Sequence, residues 1–307
     1  MIDGFSKLDT EHKLFKELSE QKPIWWQNIV RNKKIYVEVR KDNYINVYFN
    51  GGAILKLSYT NGFKGKIHFE YIPLKPLESQ NTYIPFTFSD NYLEIDTSKV
   101  GFADVDNFSD NGISAFQKRI GKFFLPSSEK GIQADFVLKN SAFLDTEFQY
   151  KGDIRFDLVW ADVGSRKLYV VELKTISNPR IYVTGHNQDS SGHDKIDAQL
   201  KKYRGFIRAR SPDLLSHYER VLSVKRKLGV IREGLRGLNS LDGFTFEERP
   251  ILLIGDCTQV WINDNKSRLN KAIQNIAYGC FYQGKNTRRF YIPKRTTGNR
   301  HVFINCV

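Results

Sequence analysis

The sequence has few of the residues and runs that would assign it to several familiar protein classes. Its three cysteines, Cys257, Cys280 and Cys306, are odd in number and far apart, so they form neither a disulfide framework nor a zinc-binding spacing. No run reaches about 18 apolar residues and no charged-then-apolar signal opens the chain, so we expect a cytoplasmic protein that does not enter a membrane. Phosphate-loop, Gly-x-Ser-x-Gly, His-Glu-x-x-His and Cys-x-x-Cys patterns are also missing, so nothing indicates the chemistry of those motifs.

The chain nevertheless has the composition of a folded globular protein. Of its 307 residues, 40% are hydrophobic and 26% are charged. The net charge of +13 is unevenly distributed. Residues 1–110 hold 14 basic and 15 acidic residues, whereas residues 111–307 hold 33 basic and 19 acidic ones. A basic surplus confined to one part of the chain favours a polyanionic partner, most often nucleic acid, over a surface charged only for solubility.

The same division is visible in the patterns of secondary structure. Residues 1–110 contain alternating runs such as Ile35–Arg40 and Tyr44–Phe49, and Asn50-Gly-Gly52 marks a hairpin. We predict a β-rich N-terminal domain over 1–110 and a second domain over 111–307, with the boundary in a polar, acidic stretch. The first domain could recognise a substrate, bind a protein partner or a second copy of the chain, or brace the core.

Two apolar-rich runs in the second part, Gly152–Trp160 and Lys167–Lys174, flank a turn-forming segment and predict an antiparallel hairpin. Because side chains alternate along a strand, Glu172 and Lys174 share one face and lie roughly 7 Å apart along it. Asp157 comes from the neighbouring strand. The sequence therefore predicts that two carboxylates and one ammonium converge at the end of an apolar sheet.

This convergence of charge has a structural and a functional interpretation. The structural one is a buried Glu–Lys ion pair, because buried carboxylates need a partner or become neutral, or charges that simply point outward at a strand end. The other is a hard-cation site, in which Asp157 and Glu172 supply oxygens to Mg²⁺ and Lys174 holds a water molecule or a phosphate oxygen.

Helices are predicted on both sides of the hairpin. Upstream, Ser127 or Ser128 can cap a helix whose first turn contains Glu129, a position that the helix dipole alone would explain. Downstream, a helix over 194–210 places Gln199 at the margin of its apolar face, one turn from Tyr203. Lys195 and Lys202 are expected on its open side, where they could contact a nucleic-acid backbone, or the helix could simply have a polar edge.

The remaining elements complete an α/β pattern. Residues 212–228 and 266–278 fit two further helices, and the wholly apolar run 249–255 fits a buried strand. Near the C-terminus, Arg288 and Arg289 open a run in which basic and aromatic residues alternate. This run could contact a nucleic-acid strand or form an amphipathic edge.

Taken in order, residues 113–257 resemble the PD-(D/E)XK nuclease superfamily, specifically its RecB-like branch with a Gln-x-x-x-Tyr helix. The matching residues are Asp157, Glu172-Leu173-Lys174 and Gln199-Leu-Lys-Lys-Tyr203, and the upstream helical glutamate of the family falls on Glu129. Phe156 stands in place of the proline that names the motif, which lowers the specificity of that match.

The resemblance implies a restriction-endonuclease-like core, with a mixed central sheet flanked by helices, preceded by the β-rich domain. It implies a phosphodiesterase acting on DNA, expected to be an endonuclease, with Mg²⁺ as cofactor and Mn²⁺ as a substitute. Asp157, Glu172, the Leu173 carbonyl and Glu129 would bind the metal; Lys174 would orient or deprotonate water; Gln199 and Tyr203 would complete the site.

By analogy with the family, restriction or another antiviral defence role is the expected setting, with DNA repair next. A non-catalytic DNA-binding module that retains the fold and an RNA-cleaving enzyme are the alternatives.

Overall fold

The structure is a computed structural model that describes residues 5, 7–68, 71, 74–76, 83–88, 93–95, 100–102, 120–121, 124–125, 127–139, 142–182 and 195–284. It divides into two units. The first comprises residues 1–126 and 220–231, and the second comprises residues 127–219 and 232–307. The domain boundary predicted between residues 110 and 111 lies outside the described residues. No helix in the described part of the chain is both long and apolar enough to cross a membrane.

Among its described residues before position 103, the first unit contains two short helices and a six-stranded antiparallel sheet. The helices are α1 (Lys13–Gln21) and α2 (Ile24–Arg31). The strands are β1 (Ile35–Arg40), β2 (Tyr44–Phe49), β3 (Gly52–Tyr59), β4 (Phe63–His68), β5 (Leu74–Pro76), β6 (Tyr83–Phe88), β7 (Leu93–Ile95) and β8 (Val100–Phe102). The sheet order is β1-β2-β3-β4-β6-β7, while β5 pairs with β8. The predicted β-rich character and the hairpin at Asn50-Gly-Gly52 are confirmed.

A buried ion pair ties the sheet of this unit to the chain segment that returns to it late in the sequence. Glu38 on β1 and Lys225 contact each other, and their side chains are only 1% and 3% exposed. Such a pair requires close geometry, because neither charge can be solvated by water. The segment 220–231 is therefore held in the first unit by electrostatics as well as by apolar packing.

The second unit is built on a mixed sheet in which five strands lie side by side and a sixth, short strand pairs with one of them. Its strands are β9 (Phe143–Tyr150), β10 (Ile154–Asp162), β11 (Lys167–Thr175), β12 (Thr245–Phe246), β13 (Ile251–Cys257) and β14 (Gly279–Gly284). The order is β14-β13-β11-β10-β9, with β12 also paired to β11. Strands β9, β10 and β11 are antiparallel, whereas β11, β13 and β14 run parallel. The predicted hairpin is thus confirmed, and so is the buried strand within 249–255.

Helices cover both faces of this sheet. They are α3 (Glu129–Lys139), α4 (Ile196–Lys227) and α5 (Gln259–Ile273). Ile196 and Leu200 of α4 belong to the apolar cluster that contains Leu252 and Ile254 of β13. Gly255 alternates with Ile254 and faces the other side, where a Cβ would come within 2.9 Å of the Ile132 side chain of α3. A side chain at that glycine would therefore push α3 away from the sheet.

Helix boundaries follow local signals, although one predicted start is wrong. Ser128 caps α3 by accepting the amide of Gly131 at 3.1 Å, as predicted. The helices predicted over 194–210 and 212–228 are joined across a kink at Arg210, which has non-helical dihedrals two residues before Pro212. The helix predicted from Lys266 is wrong at its start, since α5 begins after Thr258, whose hydroxyl accepts the amide of Trp261 at 3.2 Å. The chain is a mixed α/β protein.

Candidate active site

The candidate site lies where the β10–β11 ladder ends. Leu158 pairs with Val171, so one step further along the ladder Asp157 lies beside Glu172. There the Asp157 carboxylate accepts the backbone N–H of Leu173, with 2.9 Å between Oδ2 and N. This side-chain bond fixes the carboxylate of one strand against the backbone of the other. The two acids therefore meet at one end of the hairpin.

The ammonium of Lys174 lies near oxygen atoms of Asp157, Glu172 and Leu173, the residues that the sequence analysis names as metal ligands. Its Nζ contacts Oε1 of Glu172 and lies 3.7 Å from Oδ2 of Asp157. It also donates to the carbonyl oxygen of Leu173 at 2.9 Å. The predicted convergence of two acids and one amine is seen in the structure. The Lys174 ammonium thus lies near both carboxylates and the carbonyl at the same time.

Helix α4 supplies two polar side chains that contact Glu172 and the backbone of β10. Gln199 donates from Nε2 to Oε1 of Glu172 and to the hydroxyl oxygen of Tyr203, at 2.7 Å in each case. The Tyr203 hydroxyl in turn donates to the carbonyl oxygen of Arg155 on β10. Glu172 and Lys174 pair in register with Leu252 and Ile254, the residues that α4 covers. The one-turn spacing of Gln199 and Tyr203 thus directs Gln199 at Glu172 on β11 and Tyr203 at the backbone of β10.

Burial gives these groups unusual acid–base properties. The Glu172 side chain is 1% exposed, and burial together with the nearby Asp157 carboxylate raises its pKa to about 8, against the opposing effect of Lys174. Burial alone would lower the pKa of Lys174, but Glu172, Asp157 and Glu129 outweigh it and raise that pKa. Burial, followed by Glu172 and Asp157, raises the pKa of the Tyr203 hydroxyl. Lys174 therefore stays protonated, and Tyr203 stays a neutral donor.

Glu129 borders this cluster without joining it. It opens helix α3, and its Oε2 accepts a hydrogen bond from Asn178 at 3.5 Å. Burial raises the pKa of Glu129, and Lys174 and Asp157 act on it in opposite directions, which places it within electrostatic reach of both. No three carboxylate, imidazole or thiol groups of the described residues lie close enough together to hold a metal ion. A cation would thus depend on Asp157, Glu172 and main-chain oxygen, with Glu129 nearby.

One feature of the acid pair suits a cation. The Oε2 atom of Glu172 is buried and has no hydrogen-bond partner among the described residues. A buried carboxylate oxygen without a donor is costly, and a hard cation is the partner that such an oxygen prefers. The donor set of two carboxylates and one carbonyl is composed entirely of oxygen, as Mg²⁺ requires.

The predicted nucleic-acid contacts have mixed outcomes. Lys202 is exposed on α4, as expected. The expectation that Lys195 lies on the open side is wrong, because this residue is 6% exposed where the chain enters the helix, and its carbonyl accepts the amide of Gln199. Arg288 and Arg289 lie outside the described residues.

The sequence interpretation missed Gln133, a residue of α3 that contacts the site. Its side chain donates to the main-chain oxygen of Asp157 at 2.9 Å. The only sequence signal was its spacing, four residues after Glu129, which puts both on one helix face.

Comparison of the chain with protein-family models, with curated proteins and with solved structures found no match.

Proposed function

We propose that this protein is a Mg²⁺-dependent nuclease that hydrolyses phosphodiester bonds in DNA. The observation that carries the proposal is the convergence of Asp157, Glu172 and the Leu173 carbonyl on one positive charge, that of Lys174. Oxygen atoms that surround an ammonium at these distances can also surround a metal ion. The order helix, strand, hairpin, helix, strand from α3 to β13 supports a restriction-endonuclease-like core around them.

Asp157 and Glu172 would hold the metal with the Leu173 carbonyl, and Glu129 would reach it from α3. When bound, Mg²⁺ would supply a Lewis acid that stabilises negative charge on the phosphate and lowers the pKa of water, and Mn²⁺ could substitute. Lys174 would then exchange its carboxylate contacts for a water molecule or a phosphate oxygen. Its raised pKa favours a role as a hydrogen-bond donor over removal of a proton.

The other residues of the site would act by position. Gln199 holds Oε1 of Glu172, which leaves Oε2 as the oxygen that has no hydrogen-bond donor among the described residues. Tyr203 fixes Gln199 and is itself fixed by the Arg155 carbonyl, so the side chain of Glu172 has little freedom to rotate. Such preorganisation lowers the cost of assembling charged groups for the reaction.

The basic surplus of residues 111–307 supports a nucleic acid as the substrate. We propose DNA, cut internally, in the setting of restriction or another antiviral defence. Residues 1–110 would bind another protein or a second copy of the chain. The substrate, the internal cleavage and the setting are proposed from the resemblance to the nuclease superfamily and from the basic surplus of residues 111–307.

The test is incubation of the purified protein with closed-circular and linear DNA, in Mg²⁺ or in EDTA, beside Asp157→Asn and Lys174→Ala. We expect Mg²⁺-dependent nicking of the circles by the wild type and none by either variant. Metal-independent binding without strand breaks, equal in all three proteins, would instead support a DNA-binding module. Cleavage of RNA but not of DNA would show that the substrate is RNA.

A further inference from the structure

The strand that pairs with β10 has an unusual backbone conformation opposite Asp157. Phe156 pairs with Phe148 and Leu158 with Thr146, so Asp157 lies opposite Glu147 on β9. Glu147 has a φ of 53°, in the left-handed region that side-chain-bearing residues rarely adopt and that lies far from strand geometry. A regular strand would not select this conformation, so other contacts must hold it.

Helix α3 supplies one of those contacts and Arg155 of β10 another, with its Nη2 3.6 Å from Oε1 of Glu147. Lys130 forms an ion pair with the Glu147 carboxylate, and its ammonium also donates to Oε1 of Gln133 at 3.3 Å. Gln133 is 2% exposed and donates through Nε2 to the main-chain oxygen of Asp157 at 2.9 Å. A partly buried chain of contacts therefore runs from Glu147 through Lys130 and Gln133 to the backbone of Asp157. It closes around the irregular point of β9.

The same helix carries Glu129. Residues four apart on a helix are neighbours on one face, so Glu129 and Gln133 move together with α3. Because Gln133 is bonded to the backbone of Asp157, any shift of the helix along the sheet must break that bond. The side-chain carboxylate of Asp157 is meanwhile directed by the Leu173 amide. The main chain and the side chain of Asp157 are thus anchored to different elements.

We propose that Gln133 is a positioning residue for the reaction, which sets the separation between Asp157 and Glu129 by bonding α3 to the main chain of Asp157. This inference rests on the proposed function and goes beyond it, since it assigns a role to a residue outside the resemblance. Lys130 and Glu147 form the clamp that orients the Gln133 amide, so that its N–H, rather than its oxygen, points at the strand.

The experiment compares Gln133→Leu and Lys130→Met with Gln149→Leu, an exposed glutamine on β9 that serves as a matched control. Amide hydrogen exchange without metal follows the Leu173 N–H, which Asp157 accepts, against the Val171 N–H of the same strand. In Gln133→Leu we expect the Leu173 amide to exchange about tenfold faster relative to Val171, as one buried hydrogen bond is loosened. Lys130→Met should give a smaller change in the same direction.

Calorimetric titration with Mn²⁺ and DNA cleavage are the second arm. Loss of a residue that orients a metal ligand is expected to weaken Mn²⁺ binding about ten- to hundredfold, and to lower kcat with little effect on KM. Equal acceleration of both amides, or wild-type Mn²⁺ affinity in Gln133→Leu, would overturn the inference. A wild type that binds no Mn²⁺ and cleaves no DNA would overturn the proposed function, whereas exchange at Leu173 would still decide whether Gln133 anchors Asp157.

Discussion

Replacing Lys174 by methionine tests whether the carboxylates form a cation site. The change removes the ammonium that contacts Glu172 and Asp157 while it keeps most of the side-chain volume. The two carboxylates, 1% and 13% exposed, would lose their positive partner. Removing one member of a buried pair typically costs about 3–5 kcal/mol. For a unit of this size, with roughly 2–4 °C lost per kcal/mol, Tm should fall by about 6–20 °C.

The sign of the pH and metal dependence is fixed by the same geometry. Glu172 already has a raised pKa, so at low pH it can take up a proton and the loss of Lys174 costs less. As pH rises through that pKa, both acids carry charge and the destabilisation should grow. Mg²⁺ should restore stability to Lys174→Met by replacing the missing charge, by about 2.7 kcal/mol when its concentration is a hundred times Kd.

The assay is thermal unfolding in EDTA and in excess MgCl₂ at two pH values. Lys271→Met, which removes an exposed lysine of α5, is the matched control and should unfold like the wild type. If Lys174→Met were as stable as the wild type in EDTA, or gained nothing from Mg²⁺, the three groups would not form a shared cation site.

Three further predictions concern single contacts. Tyr203→Phe removes the hydroxyl that donates to the Arg155 carbonyl, so the free energy of unfolding should fall by about 1–3 kcal/mol and kcat should drop. Unchanged urea unfolding and unchanged cleavage would contradict this prediction. The pKa of Glu172 is raised to about 8, so below that pH Mn²⁺ must displace a proton to bind, and the Mn²⁺ affinity should rise with pH. Calorimetry in buffers of different ionisation enthalpy should detect the released proton. Glu172→Gln should abolish that release. Lys225→Met removes the ammonium that pairs with the buried Glu38 carboxylate and should cost about 3–5 kcal/mol in urea unfolding. A second change, Glu38→Met, should restore part of that loss, and a purely additive double variant would argue against the pair.

Local sequence signals determined much of the second unit. Alternation along one strand places Glu172 and Lys174 on the same face whatever surrounds them, because strand side chains have a period of two. The turn that joins the two strands is local as well, since Asp162 accepts the amides of Gly164 and Ser165 at 3.1 and 3.3 Å. These features depend on neighbours within a few residues, so the sequence alone predicts them.

Tertiary packing decided the features that depend on distant parts of the chain. Lys195 is buried directly before α4 begins, and helical periodicity carries no information about burial at that position. The bond from Gln133 to Asp157 joins residues 24 positions apart, and nothing in the local pattern distinguishes this glutamine from a solvated one. The sequence therefore determined which charged groups share a strand face. Only the folded sheet and its helices decided which other residues, such as Gln199 and Gln133, hold those groups in place, because such contacts depend on long-range register and packing.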